Sequence, residues 1–368
     1  MIFMNLQCLL AARRGLQLTF PLNGASIASM QPFEAVQALY PPIEPYANTH
    51  VDVGDGHQIY VEQCGSAQGM PMVYVHGGPG SGCSPRHRQF FDPKQCRAVL
   101  FDQRGCGRSV PSGALQHNYT DALVQDMEIL RDRLGIARWL VVGGSWGAGL
   151  ALAYAAAHPE ACLGLVLRGV FLGRDSDTDW FFRGAAQLLP DAWQQLVDQV
   201  APEATNDLLQ RLHAGLHGPD ATTALRCAMA WEAWEQSLSQ HCGVAARALT
   251  PNDRLAVPLI AKYRLQSHYL VHQCFRQGQG LLQPARVLAT LPTAIVHGRL
   301  DWICRAETAW HVHRTLDSSR LQWVDGGGHN PFEAANATAL VSAIDHFARH
   351  GNFSDWGSAF SHTANHEP

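Results

Sequence analysis

The stretch Gly143-Gly144-Ser145-Trp146-Gly147 constrains this chain more than any other. It follows the apolar run Trp139-Leu140-Val141-Val142 and precedes Ala148 to Ala157, a segment rich in alanine and leucine. A strand that turns sharply into a helix carries backbone strain at the turn and leaves no room for side chains on its flanks, so glycine is required at Gly143 and Gly147. Trp146 can fill the variable position if its ring points away. The positive end of the following helix is then expected beneath Ser145. A lone G-x-S-x-G match also describes a tight turn with an incidental serine, so the rest of the chain has to discriminate.

At 368 residues the chain can hold one large α/β domain with an inserted subdomain, or two domains, and can bury a substantial core. With 27 Lys and Arg against 31 Asp and Glu, the formal net charge of −4 leaves no basic field to hold nucleic acid or an anionic membrane. The ten cysteines form no C-x-x-C pair and read as reduced, mostly buried thiols. Met1 to Ala12 is apolar but lacks a basic n-region, and Arg13-Arg14 sits on the wrong side for a secretory signal. No run reaches transmembrane length, so a cytoplasmic protein is expected.

Residues 1–38 read as a leader of mixed composition, with Met30 an alternative start. Asp52 to Gln63 reads as a hairpin turning at Gly54-Asp55-Gly56. Met72 to Val75, Ala98 to Phe101, Val141-Val142, Leu163 to Leu167, Ala294 to Val296 and Leu321 to Val324 are short apolar runs, and Tyr119 to Leu134 between them is helical. Strand, glycine loop and helix in alternation predict a mostly parallel, doubly wound sheet. From Leu172 to Leu288 the periodicity is helical throughout, with candidate helices at Ala185 to Val200, Asn206 to Leu216, Thr222 to Ser239 and Leu259 to Phe275. The expected organisation is a discontinuous sheet domain at 39–171 and 289–350, an inserted all-helical cap at 172–288 over the carboxyl ends of the strands, and a fraying polar tail at 351–368.

A serine nucleophile needs a base, and the base an orienting carboxylate. Asp301 follows the strand Ala294-Ile295-Val296 in His297-Gly298-Arg299-Leu300-Asp301, and His329 follows the next strand in Asp325-Gly326-Gly327-Gly328-His329. Each alone could be a solvated or structural residue. All three in the order Ser145, Asp301, His329, each after a strand, point to a catalytic triad. Upstream, His76-Gly77-Gly78-Pro79-Gly80 presents backbone without side chains after another strand. The N–H of Gly78 with that of Trp146 is the expected oxyanion hole. A phosphate loop is the alternative, but no lysine stands in Walker spacing and no G-x-G-x-x-G is present. Asp102 to Ser109 reads as a supporting turn, with Arg104 a structural charge and with Cys83 and Cys106 as packing residues. His268 and His272, and His311 and His313, lack the carboxylate partner of an H-E-x-x-H site, so no metal or other cofactor is expected.

These motifs resemble those of the proline iminopeptidases, serine aminopeptidases of the α/β-hydrolase fold. The resemblance runs from Leu39 to Arg349 through Tyr40 to Tyr46, His76 to Gly82, Phe101 to Ser109, Gly143 to Gly147 with Leu150 to Tyr154, Leu167 to Phe171, and Trp231 to Glu235. It implies release of N-terminal proline from peptides through an acyl-enzyme, so the implied partner is a peptide with a free prolyl terminus. Association into a homo-oligomer is left open. In the family a cap glutamate after two spaced tryptophans serves the substrate amine, and Trp231-x-x-Trp234-Glu235 matches it. Phe171 matches an apolar wall for the ring, with Phe182, Phe181 and Trp180 as further wall candidates. One departure stands out: Gln266, before His268-Tyr269, occupies the place of a second glutamate. An amide there accepts a hydrogen bond without supplying charge. Glu232, three residues before Glu235, either compensates or is a solvated surface residue. Ala148 and Gly149 also replace more polar residues usual after the turn. An esterase or broader aminoacyl-amide hydrolase with the same triad is the competing enzyme reading, and an inactive binding module the non-enzymatic one.

Overall fold

The computed structural model describes residues 39–200, 207–276, 280–282 and 285–357. The leader, its alternative start at Met30 and the tail beyond Gly357 lie outside the described residues. The strands are β1 (Ala47–Asp52), β2 (Gln58–Gly65), β3 (Met70–Val75), β4 (Cys96–Phe101), β5 (Trp139–Gly144), β6 (Cys162–Arg168), β7 (Thr293–Gly298) and β8 (Ser319–Val324). The helices of the sheet domain are α1 (Thr120–Arg133) and α2 (Trp146–Ala157) before the cap, and α8 (Ala306–Thr315) and α9 (Ala334–His350) after it. The strands form one sheet in the order β1-β2-β4-β3-β5-β6-β7-β8. Only β1 with β2 and β2 with β4 are antiparallel; every other pair runs parallel.

This order fixes where a site can form. β3 lies between β4 and β5, so strand order reverses there, and loops leaving adjacent strands diverge to open a crevice. Val75 at the end of β3 pairs with Gly143 of β5, which brings the glycine loop after β3 and the serine turn after β5 side by side. The apolar strands alternate faces as their period of two requires: Val73, Val75 and Val141 pack with Met127 of α1 and Leu150 of α2, while Met72, Tyr74, Leu140 and Val142 pack with Ile344 and Phe347 of α9.

Between β6 and β7 lies the cap, formed by α3 (Asp175–Phe182), α4 (Pro190–Val200), α5 (Leu208–His217), α6 (Ala221–Gln240) and α7 (Ala256–Val271). It has an apolar core of its own, distinct from the two that flank the sheet. Two of its helices are shorter than their sequence periodicity. α4 starts at Pro190 because proline is tolerated in a first turn and not further in, and the expected earlier part is a 3-10 turn at Gly184–Gln187. α7 stops at Val271 because Gln273, Cys274 and Phe275 all adopt positive φ. α3 is absent from the periodicity reading, since its first turn is polar. An Arg174–Asp177 pair at 2.8 Å closes that turn. α6 begins where Asp220 accepts the amide hydrogens of Thr222 at 3.1 Å and Thr223 at 3.0 Å, and ends at His241 in the left-handed region.

Past α9 the chain does not fray at once: Phe353 and Trp356 are buried in the cluster that holds Phe347. The nine described cysteines are free, and Cys8 lies outside the described residues. Among the described residues no helix is long and apolar enough to cross a membrane.

Trp231 is the centre of the cap. It is wholly buried, with Phe182 at 5.1 Å and Tyr263 at 5.3 Å between ring centroids, and its indole nitrogen has no hydrogen-bond partner among the described residues. Trp231→Ala is therefore expected to destabilise the protein by about 3–5 kcal/mol through loss of packing. Trp231→Phe should recover most of that, because there is no indole hydrogen bond to lose. Urea unfolding of the two variants beside the wild type checks this, and equal losses would show that the polar edge of the indole matters.

Candidate active site

Ser145 occupies the turn between β5 and α2 with φ 58° and ψ −125°, a conformation that an L-residue holds only when its surroundings dictate it. Those surroundings are backbone packed without side chains. A Cβ on Gly147 would lie 2.0 Å from the carbonyl oxygen of Val75, and one on Gly143 would lie 2.2 Å from that of Gly147. Gly149 is closed off in the same way, since a Cβ there would meet the Phe171 carbonyl oxygen at 2.4 Å. That contact accounts for glycine at the departure noted after the turn. The Ser145 amide donates to the Arg168 carbonyl at 2.8 Å, and α2 begins immediately with its positive end at the turn. The Trp146 ring points into the protein as its position requires, buried and donating its indole N–H to Gln103 Oε1 at 2.9 Å.

His329 Nε2 lies 3.2 Å from Ser145 Oγ, and His329 Nδ1 lies 2.7 Å from Asp301 Oδ2. Three segments far apart in sequence are thus brought into one hydrogen-bonded line. Asp301 Oδ1 accepts the amide hydrogens of Ile303 at 3.0 Å and Cys304 at 2.8 Å. Burial would raise the Asp301 carboxyl. The charge and hydrogen bond of His329, with His297 and the Cys304 amide, outweigh burial and hold it at about 2. The His329 loop is fixed from below by Arg168, whose guanidinium donates to the His329 carbonyl at 2.5 Å. Asn336 holds it from the side by donating to the carbonyls of Gly328 and Asn330, both at 3.0 Å.

The loop after β3 passes over the serine. A Cβ on Gly77 would stand 3.1 Å from the Ser145 Cβ, and one on Gly78, at φ +117°, would meet the Gly80 amide at 2.6 Å. His76 anchors this loop. Its buried imidazole accepts the Gln103 amide hydrogen at Nε2 at 3.0 Å, and Nδ1 lies 2.9 Å from the Gly77 carbonyl and 3.2 Å from the Gly82 amide. Burial lowers its pKa, which keeps the ring in the neutral form this pattern requires. Gln103 also donates to the His76 carbonyl at 2.9 Å while accepting from Trp146. One side chain thereby braces the glycine loop against the serine turn. Arg104 is a structural charge, buried and paired with Asp126 at 2.7 Å.

A cleft of about 200 Å³ opens above Ser145, with Gly77, Gly78, His329 and Cys304 at its floor and Phe171, Phe181, Glu235, Gln266 and Leu270 among its walls. The Glu235 carboxylate accepts from the Tyr263 hydroxyl at 3.0 Å and lies 3.4 Å from Lys262 Nζ. Gln266 is buried, and its Oε1 has no hydrogen-bond partner among the described residues. Two residues read from the sequence as substrate contacts do not reach the cleft. Phe182 follows Phe181 by one residue, about 100° round α3, so its ring turns into the cap core against Trp231. The ring that lines the cleft is that of Phe181. Glu232 is mostly buried and ion-paired to Arg247 at 2.8 Å, so its carboxylate is taken up away from the cleft.

Sequence reasoning passed over Cys304, Lys262 and Tyr263. The Cys304 thiol, 4.0 Å from Ser145 Oγ, sits closer to the serine than the two cysteines considered from the sequence suggested, and burial pushes its pKa well up. Lys262 and Tyr263 stand four and three residues before Gln266 on α7, a helical spacing that was available as a signal. His268 and His272, weighed as a metal pair, bond instead to the carbonyls of Asn118 at 2.9 Å and His268 at 2.7 Å.

Comparison with known proteins agrees with this architecture. A family model described as the alpha/beta hydrolase fold matches residues 70–335. The chain is 42% identical over 314 residues to the proline iminopeptidase of Xylella fastidiosa, covering 85% of this chain and 100% of that protein. It is 43% identical over 315 residues to the proline iminopeptidase of Xanthomonas citri, again covering 85% and 100%. A solved structure of the proline iminopeptidase of Mycobacterium smegmatis shares the fold alone, with a TM-score of 0.52 at 15% identity over 83% of this chain and 98% of that one. Matched along the whole length of such relatives, and carrying a strained serine turn within reach of a histidine and a buried aspartate, this chain belongs to the proline iminopeptidase family of α/β-hydrolases.

Proposed function

We propose that this protein is a serine aminopeptidase that releases proline from the N-terminus of peptides through an acyl-enzyme. One observation carries the reading. Ser145 and His329 line the floor of the cleft with Oγ and Nε2 3.2 Å apart, Asp301 is buried behind His329 at 2.7 Å, and Glu235 and Gln266 stand among the cleft walls. In this reading the segments 39–171 and 289–350 supply the chemistry and the 172–288 cap supplies the choice of substrate. Free cysteines throughout the described chain support a reducing, cytoplasmic setting.

The chemistry follows from the geometry. Ser145 Oγ attacks the carbonyl carbon of the prolyl peptide bond as His329 Nε2 takes its proton. The negative charge that develops on the carbonyl oxygen is received by the amide hydrogens of Gly78 and Trp146, the latter at the positive end of α2. His329 then gives its proton to the departing amine, leaving a prolyl ester on Ser145. Water activated by the same histidine hydrolyses that ester. Asp301 remains ionised throughout and steadies the imidazolium. Phe171 and Phe181 bound the pyrrolidine ring, and Glu235 with Gln266 receives its nitrogen, so the scissile bond falls one residue from the chain end.

Three outcomes test this. Ser145→Ala, His329→Ala and Asp301→Ala should each lower kcat by roughly ten-thousandfold or more while leaving the protein folded, and any double variant should be little slower than its worse parent. Fluorophosphonate labelling and turnover of prolyl arylamide measure this, and losses that multiply would show that the three do not act as one unit. Glu235→Ala should lower kcat/KM for a prolyl arylamide by about 2–4 kcal/mol in transition-state stabilisation, and far less for a simple ester. Equal losses on both substrates would instead mark an esterase.

Asp301 also sets a stability window in acid. Its carboxyl titrates at about 2 in the folded protein, against about 3.9 for an ordinary aspartate, so its stabilising contribution is complete above roughly pH 5 and is lost as the pH falls through about 2. Thermal unfolding between those limits should therefore fall less steeply in Asp301→Asn than in the wild type. Parallel curves would show that the aspartate has no such linkage.

A further inference from the structure

We propose that Lys262 is a built-in counter-ion of Glu235, which makes the amine subsite charge-neutral and selects prolyl substrates whose terminal nitrogen is uncharged. The inference rests on the prolyl aminopeptidase reading and refines which form of the substrate the site accepts.

The geometry begins with two helices. Glu235 on α6 and Lys262 on α7 face one another with Nζ 3.4 Å from Oε1 and 3.5 Å from Oε2. Tyr263 stands between them: its hydroxyl donates to Glu235 Oε2 at 3.0 Å, and its ring lies 4.6 Å from the ammonium. Both charged side chains are about three-quarters covered, 24% and 27% exposed, so their attraction is screened less than that of a surface pair.

The other charges around this corner do not restore a net negative field. Glu232, one turn earlier on α6, is spent away from the cleft on Arg247 at 2.8 Å, so behind Glu235 and Lys262 lies a second, balanced ion pair. Burial pushes the Tyr263 hydroxyl well above its usual range and keeps it neutral. Across the cleft, Asp177 is paired with Arg174 at 2.8 Å, while Arg168 adds a positive charge beside the His329 carbonyl. His87 is held at about 3 by burial and stays neutral. Gln266, on the cleft wall, contributes no charge.

Lys262 does not line the cleft itself but stands behind Glu235, so a protonated prolyl nitrogen has to share that carboxylate with a cation already paired to it. An uncharged secondary amine meets no such difficulty. It has no charge for Lys262 to repel, and it leaves the Glu235–Lys262 pair intact. The preference therefore follows the protonation of the substrate, whose free terminus titrates near pH 7.7–8.0. It should appear as a rise in kcat/KM with pH that a substrate without the nitrogen does not share.

The test compares prolyl arylamide with cyclopentanecarbonyl arylamide, the same ring without nitrogen, at about pH 6.5 and about pH 9, on either side of that titration. Rates are expressed per fluorophosphonate-titrated Ser145, so that misfolded protein does not count. In the wild type the ratio of prolyl to cyclopentanecarbonyl kcat/KM should climb between the two pH values. Lys262→Met should raise that ratio at the lower pH by about fivefold, the scale of an ion pair of this exposure, through a lower KM for the prolyl substrate, and should flatten the climb. Lys262→Arg, which keeps the charge, should retain the wild-type profile. A ratio that falls at the lower pH in Lys262→Met, or does not change, overturns the proposal and leaves Lys262 as a support for Glu235. Failure of the wild type to cleave the prolyl arylamide at either pH, with ester hydrolysis intact, would instead overturn the aminopeptidase reading.

Discussion

Everything the site does depends on the backbone of Ser145 being held where a serine backbone does not willingly go. The turn at φ 58° is stabilised by close packing of main chain on main chain, with Gly147 lying directly against the end of β3. That contact is possible only because β3 and β5 are neighbours in the sheet, and they are neighbours because strand order reverses at β3. The same adjacency brings the glycine loop over the serine, as the proposed pair of backbone donors requires. A topological choice made by the whole sheet thus becomes a local electrostatic property.

Around that turn the polar groups are braced in pairs. Gln103 ties the glycine loop to Trp146, Arg168 ties the His329 loop to the floor of the cleft, and two backbone amides orient Asp301. None of these groups needs to touch substrate to matter. Each removes a way in which the reacting atoms could drift, and positioning of this kind supplies much of the rate in acyl transfer.

The sheet and the bringing together of Ser145, Asp301 and His329 were legible in the sequence because both are written locally. Short apolar runs between glycine loops give strands, and a serine between glycines, an aspartate and a histidine after successive strands give the reacting line. Substrate contacts were less legible because the cap's helices orient them. Phe181 and Phe182 are adjacent and chemically identical, and only the register of α3 decides which one lines the cleft. Glu232 and Glu235 pose the same problem on α6, and it is Arg247, from a loop outside that helix, that claims Glu232. The ends of α4 and α7 were misjudged where hydrophobic periodicity outran Pro190 and the positive-φ residues after Val271. Lys262 illustrates the remaining limit, since the meaning of a charge lies in its partner and the partner is 27 residues away.

The cap encloses an apolar core of its own, built on Trp231, Trp234 and Phe181, while Tyr269, Cys274 and Leu281 reach into the core of the sheet domain. Two such cores in one chain can come apart at different free energies. The side of the cleft formed by the cap and the side that carries Ser145 therefore need not open together. A molecule whose cap had loosened would still present an aligned serine to any small activated acyl compound, and would have lost its means of refusing one.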